Sequence, residues 1–292
     1  MIFRDVRKNK IKTVIIITIF FILVSLLVYF VSLYFFDNIY LAAFIGIAFS
    51  GLSAFISYYN SDKMILKVNG ARPATREEFL QLNVSLESLC ISAGLPLPKL
   101  YVMDTPALNA FATGRNPEHA VVCVTTGLLN KLDKYEMEGV LAHELSHIKN
   151  YDILVSTIAI VMVGFVTILA DMFTHGWIFG SSRDSDNKAS AILMLVGLVF
   201  IILSPIAATL LQLAISRNRE YLADATAVQI TRNKEGLIKA LSKLEQDNIP
   251  MEVNKATESL FIANPFKGKQ KDSVWSTHPS TSNRIKKLQE IQ

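Results

Sequence analysis

The sequence predicts a mainly helical α+β integral membrane protein, with about four transmembrane helices and a soluble part that carries a small sheet. Three observations predict it. Four apolar runs, 13–36, 39–59, 153–173 and 189–215, hold 93 of the 292 residues and a single formal charge, Asp171. The other 53 charges fall in the remaining 199 residues, a density ordinary for a soluble domain. Short strand-like pieces occur only between 60 and 152. The overall figures of 51% hydrophobic and 18% charged therefore describe two compositions interleaved in one chain. A wholly soluble enzyme and a disordered chain are excluded, and two cysteines, Cys90 and Cys123, are too few for a disulfide framework.

Each apolar run exceeds the length of about 18 residues that a spanning helix needs. The first follows Arg4, Arg7, Lys8, Lys10 and Lys12, as the apolar core of a signal peptide would. It is too long for that role, which takes roughly 7–15 residues, and no small-residue cleavage site follows, so it reads as an uncleaved anchor. Only Asp37 and Asn38 separate the first two runs, which must then form a tight helical hairpin. The arm before the hairpin is basic, its tip carries no basic residue, and Lys63, Lys67, Arg72 and Arg76 follow it. By the positive-inside rule the N-terminus and the segment after 60 lie in the cytoplasm, with the hairpin in the inner or plasma membrane. The net charge of +4 equals that of residues 1–12 alone, which makes the bilayer surface the expected partner and leaves none for nucleic acid. Gly164 and Asp171 weaken the third run and Pro205 interrupts the fourth, so a pair of long buried helices is the alternative there. Either reading returns the chain to the same side at 216. The expected division is 1–59 for arm and hairpin, 60–152 for the first soluble part, 153–215 for the second helix pair and 216–292 for the last soluble part.

Within the soluble segments, Thr75 and Glu78 form a capping box ahead of an apolar stripe, Phe79, Leu82, Leu86, Leu89 and Cys90, that ends at Gly94. Strand-like pieces follow at Leu100–Met103, Asn109–Thr113 and Ala120–Thr125, the last two flanking a turn-rich segment and expected to pair as a hairpin. Asp133 and Glu136 cap a helix that runs through Met137, Val140 and Leu141 toward Ile148. Helices are expected at 217–230 and 234–247, irregular chain at 250–280, and a short basic helix at the end. His119 and His175 read as solvated, Cys123 as core.

The chemistry concentrates in His143-Glu144-Leu145-Ser146-His147, an H-E-x-x-H motif inside the predicted helix. Residues four apart return to one face, so both imidazoles point the same way about a turn apart. Two such nitrogens suit a tetrahedral zinc ion. Glu144, rotated by about one hundred degrees, reaches a water there without being a ligand. A chance match in a chain of this composition has a probability of roughly four in a thousand.

A catalytic zinc site needs a third protein ligand and one open position. No third histidine follows the motif closely. The segment Arg219-Glu220-Tyr221-Leu222-Ala223-Asp224 offers two carboxylates on one helical face. One would bind metal, and the other would hold the remaining N–H of a ligating histidine.

Taken with Asn109–Gly114, the His143–His147 motif followed by Asp152, Glu220–Asp224, and Thr277–Ser280 with Arg284-Ile285, the chain resembles the HtpX-type membrane zinc endopeptidases. These belong to the gluzincin group, which also contains the CAAX prenyl proteases. The segments occur in family order, and the resemblance spans nearly the whole chain. It implies a cytoplasmic gluzincin-like protease domain, one Zn²⁺ per chain and polypeptide substrates, membrane proteins among them, with a role in membrane protein quality control. It implies no oligomeric state. It makes His143, His147 and Glu220 the zinc ligands, Glu144 the general base and Asp224 the partner of a ligating histidine. His278 resembles a family histidine placed near the reacting carbonyl. Asn109, Ala110, Phe111 and Ala112 resemble an edge strand that pairs with substrate backbone, since an unpaired edge binds an extended peptide through main-chain hydrogen bonds. Ser259 departs from the pattern, standing where many relatives are expected to carry histidine.

Two other classes are weighed. A proteolytically silent, zinc-stabilised adaptor or chaperone has no use for Glu144, because a structural site is closed by four ligands and needs no base. A transporter places ionisable groups at mid-membrane. Only Asp171 is a candidate, and it lies near the end of its run.

Overall fold

The computed structural model describes residues 2–35, 38–164, 217–266 and 279–291. Two long helices open the chain, α1 at Ile2–Phe35 and α2 at Ile39–Val68. Asn38 starts the second as expected of the hairpin tip, its side-chain oxygen accepting from the amides of Tyr40 and Leu41 at 3.0 and 3.1 Å. Val6–Leu26 and Ile39–Val68 are long and apolar enough to cross a membrane, with mean hydropathy 2.0 and 2.1. The third apolar run begins as a shorter helix, Asp152–Gly164. Its remainder with Asp171, the fourth run, His175 and His278 all lie outside the described residues.

The chain divides into two units. One contains Ile11–Asn60 with Ile158–Ala214. There α1 and α2 meet through Ser25 and Ser50, whose hydroxyl oxygens are 2.6 Å apart. They also meet at Gly46, where a Cβ would stand 2.7 Å from the carbonyl oxygen of Ser25. Small residues at the crossing let the two backbones touch.

The other unit gathers Met1–Lys10, Ser61–Thr157 and Ile215–Gln292. Its sheet has four strands, β1 (Arg72–Pro73), β2 (Lys99–Met103), β3 (Ala110–Gly114) and β4 (Ala120–Thr125), in the order β1-β2-β4-β3. Strands β2 and β4 are parallel, whereas β3 and β4 form the expected antiparallel pair. Its described helices are α3 (Arg76–Ala93), α4 (Thr126–Lys131), α5 (Lys134–Lys149), the part of α6 (Asp152–Gly164) up to Thr157, α7 (Arg217–Thr231), α8 (Lys234–Gln246) and α9 (Thr281–Gln289).

Both capping boxes form. Thr75 and Glu78 start α3, which stops at Gly94 in the left-handed conformation, φ 68°. Asp133 and Glu136 start α5. The buried face of α3 runs through Leu82, Leu86, Leu89 and Cys90. Phe79 is 39% exposed, because the core ends one turn short of it. Helix α5 is buried along most of its length and packs on α8, where a Cβ at Gly139 would lie 2.7 Å from the amide nitrogen of Leu237. Glu136, already in the cap, also takes Lys243 of α8 at 2.6 Å. The helix that bears H-E-x-x-H is thus fixed before any site chemistry is considered.

Candidate active site

Helix α5 presents His143 and His147 on one face with their Nε2 atoms 3.2 Å apart. Helix α7 supplies the third group. Its small buried residues Ala223 and Ala227 allow a close approach to α5. Glu220 then stands with Oε2 3.6 Å from His143 Nε2 and Oε1 3.7 Å from His147 Nε2. One atom from each of the three residues lies within 4.8 Å of the others. Tetrahedral zinc with bonds of about 2.0–2.1 Å would separate its ligand atoms by roughly 3.3 Å. Two imidazoles and one carboxylate at these spacings could hold a zinc ion.

Both imidazoles are oriented from behind. Nδ1 of His143 is 3.0 Å from Asp224 Oδ1, and Nδ1 of His147 is 3.1 Å from Asp152 Oδ2. When Nδ1–H donates to a carboxylate, the Nε2 lone pair is left for metal. Asp224 is gripped in turn by the Arg284 fork, with Nε on Oδ2 at 2.9 Å and Nη2 on Oδ1 at 2.7 Å. Arg284 also donates from Nη1 to the carbonyl of Ile262 at 2.9 Å, and it is only 2% exposed. Asp152 receives Arg219 Nη1 at 3.1 Å.

These surroundings set the protonation. Burial, and then the positive charge of Arg284, push His143 down to about 4, so it is neutral at pH 7. Burial would also lower His147, but the hydrogen bond to Asp152 and the charge of Glu220 outweigh it and raise it to about 9. Asp224 is held well below the usual carboxylate range by Arg284, against a burial that would raise it.

Replacing Arg284 by alanine would strand the Asp224 carboxylate in the interior. The expected loss is about 3–5 kcal/mol of stability, the range for breaking a buried ion pair from one side. Thermal unfolding of the metal-free chain measures it, and an unchanged melting temperature would contradict the arrangement described here.

Glu144 lies in the same cleft, buried, with Oε1 lacking a hydrogen-bond partner among the described residues. Burial above all pushes its carboxyl up to about 7, while a hydrogen bond from the Ala112 amide acts the other way. Ala112, Ile153, Ser156, Arg219 and Ser259 share the cleft with it. The Ser259 hydroxyl oxygen is buried and has no partner among the described residues.

Strand β3 is one edge of the sheet, and the four singled-out residues, Asn109 just before it and Ala110, Phe111 and Ala112 within it, separate in role. Ala112 lines the cleft. Ala110 gives its carbonyl to the Ile262 amide at 3.0 Å, and Phe111 stacks edge-on against Phe261 with ring centroids 5.0 Å apart. Asn109 is fully buried and binds both the carbonyl and the amide of Ala263, at 2.9 and 3.2 Å. The segment 261–263, expected to be irregular, therefore runs along part of the edge expected for substrate. The sequence did not single out Asn9, and it named Arg219, Arg284 and Asp152 only as parts of quoted segments, without the roles seen here. Asp152, five residues beyond His147, carried a signal in its spacing. Arg284 carried only its place beside Ile285 in the family resemblance, and Lys286 and Lys287 beyond it in a short basic helix gave no sign of a buried role.

The profile described as "Peptidase family M48" matches residues 76–292. A protein described as "Protease HtpX homolog" from Dictyoglomus thermophilum is 46% identical over 289 residues, covering 98% of this chain and 93% of its own. One of the same description from Listeria monocytogenes serotype 4a is 42% identical over 304 residues, covering both chains fully. Among solved structures, S. mikatae Ste24p is similar at a TM-score of 0.49 and 20% identity, over 91% of this chain and 62% of that one.

Proposed function

The chain belongs to peptidase family M48 and is a membrane metallopeptidase, and from that premise we propose that it is a zinc-dependent endopeptidase that cuts misfolded and membrane polypeptides in quality control. One observation carries the reading: three ligand atoms from His143, His147 and Glu220 cluster within 4.8 Å, and Oε1 of Glu144, unpartnered among the described residues, belongs to a residue that lines their cleft. A site that only stabilised the fold would have no use for that oxygen.

In this reading His143, His147 and Glu220 would hold one zinc ion, with Asp224 and Asp152 fixing the two imidazoles. Lewis acidity toward the scissile carbonyl and toward a water molecule is what zinc would supply here. Glu144 takes a proton from the attacking water and returns it to the amide nitrogen of the leaving strand, so no covalent enzyme intermediate is needed. The substrate backbone lies along the outer edge of β3 at Ala112, beyond the stretch that Ile262 occupies. His278 is assigned to the oxyanion on the resemblance of its Thr-His-Pro-Ser context. The lengths of the four apolar runs support four spans, in the parts 1–59, 60–152, 153–215 and 216–292, and the charge pattern around the first hairpin supports a site on the cytoplasmic side.

Metal exchange tests the proposal. Chelation of the detergent-solubilised chain should abolish cleavage of an unfolded protein substrate, and stoichiometric zinc should restore it. Cleavage that persists after complete metal removal would overturn the reading. So would a zinc-replete chain that binds polypeptides and never cuts them, which is the adaptor outcome.

A further inference from the structure

We propose that Asn9, in the basic arm ahead of the first apolar run, is a positioning residue of the metal site: it holds the Asp152 carboxylate that orients His147. The inference rests on the zinc-site reading above and extends the site to a part of the chain that reads as a membrane anchor.

Asn9 behaves unlike its neighbours. Arg7, Lys8 and Lys10 are exposed, as expected of an arm that faces a charged bilayer surface, whereas Asn9 is only 5% exposed. Asparagine is a poor choice in a helix interior, because its amide competes with the backbone for hydrogen bonds. Here the amide reaches out of its own helix. Nδ2 donates to Asp152 Oδ1 at 2.8 Å and to the carbonyl of Asn150 at 2.9 Å. Both bonds fall on the three residues that lead from α5 into α6.

Those three residues need holding. Tyr151, between the two bonded positions, has φ 59°, a left-handed conformation that a bulky side chain adopts only when its surroundings impose it. The same arm secures it from the other side, with Lys10 Nζ 4.4 Å from the centre of the Tyr151 ring. The turn sets where Asp152 lies beneath His147. Its carboxylate then divides its oxygens, Oδ1 toward Asn9 and Arg219 and Oδ2 toward His147 Nδ1 at 3.1 Å. Two donors on Oδ1 fix the carboxylate plane, and the plane fixes the imidazole. Loss of a group that orients a metal-binding histidine typically costs 10–100-fold in metal affinity. Seating the first turns of α1 thereby becomes a condition for a fully formed zinc site.

The test uses the full chain in detergent, with zinc affinity read by competition against a chromophoric chelator and ligand geometry read from the visible spectrum of the cobalt-substituted protein. Asn9→Ala should weaken zinc binding about 10–100-fold, change the cobalt spectrum, and lower kcat with little change in KM. Asn9→Asp, isosteric but an acceptor facing an acceptor, should be weaker still, while Lys8→Ala on the exposed side should match the wild type. The order wild type, alanine, aspartate is the signature of a lost donor; a packing role would place the isosteric aspartate above alanine and overturn the proposal. Should Asn9→Ala fail to fold, Asn9→Ser carries the same test, with an intermediate affinity expected and wild-type affinity overturning it. A wild-type chain that binds no zinc would defeat the reading of the site itself. Zinc binding that is lost in His147→Ala and unchanged in the Asn9 variants would overturn this inference alone.

Discussion

The Glu144→Gln chain should bind zinc as the natural chain does and cleave peptide bonds at least a hundredfold more slowly. The substitution preserves volume and the capacity to accept a hydrogen bond from the Ala112 amide, so the fold and the three-ligand cluster have no reason to change. It removes a carboxylate from the cleft whose Oε1 is buried, unpartnered among the described residues and able to take a proton. General-base catalysis contributes typically 10²–10⁴-fold, and that is the loss expected in kcat. Single-turnover cleavage measures it, with zinc content assayed on the same sample. Full activity with zinc bound would sink the assigned role of Glu144. The same variant is a tool, because membrane proteins that accumulate uncut in its company identify the substrates.

Glu220→Ala should lose metal and activity together. The other two ligand atoms remain 3.2 Å apart on α5, but two imidazoles alone leave half the coordination sphere to water. The sharper readout is thermal. Zinc held by the folded chain would stabilise it by RT ln(1 + [Zn]/Kd), about 2.7 kcal/mol at a hundredfold excess over Kd. Adding zinc should raise the melting temperature of the natural chain and leave that of Glu220→Ala nearly unmoved. A variant that retains one zinc per chain would show that the third ligand lies elsewhere. The titration of His147 adds a pH dependence with a definite sign. Asp152 and Glu220, against the pull of burial, raise its metal-free form to about 9, so zinc must displace a proton. Retention should therefore weaken as pH falls, the usual direction for a histidine site.

Local features were legible because local physics makes them. The two capping boxes need only residues three apart, and both form at Thr75–Glu78 and Asp133–Glu136. The spacing of His143 and His147 needs only the pitch of a helix, and their Nε2 atoms meet as that pitch requires. Glu220 and Asp224 illustrate the boundary. The sequence places both on one helical face, but which of them approaches both Nε2 atoms depends on how α7 lies on α5. Arg284 lies beyond that boundary. Its neighbours make it look solvated, and its partner Asp224 is 60 residues away. The edge strand was legible as a strand, while its partial cover by 261–263 was not, because Ala110 and Ile262 are joined by a pairing that no periodicity announces.

By itself the sequence determined the membrane character of the chain, the helix that carries H-E-x-x-H and the types of atom available to a metal. These follow from composition, helical period and capping, which act over a few residues. Only the tertiary structure decided what stands behind each imidazole: Asp224 with Arg284 for His143, and Asp152 with Arg219 and Asn9 for His147. A buried charge or amide must find its partner wherever the fold brings one. For Asn9 that partner lies 143 residues along the chain, in the turn beneath the second histidine.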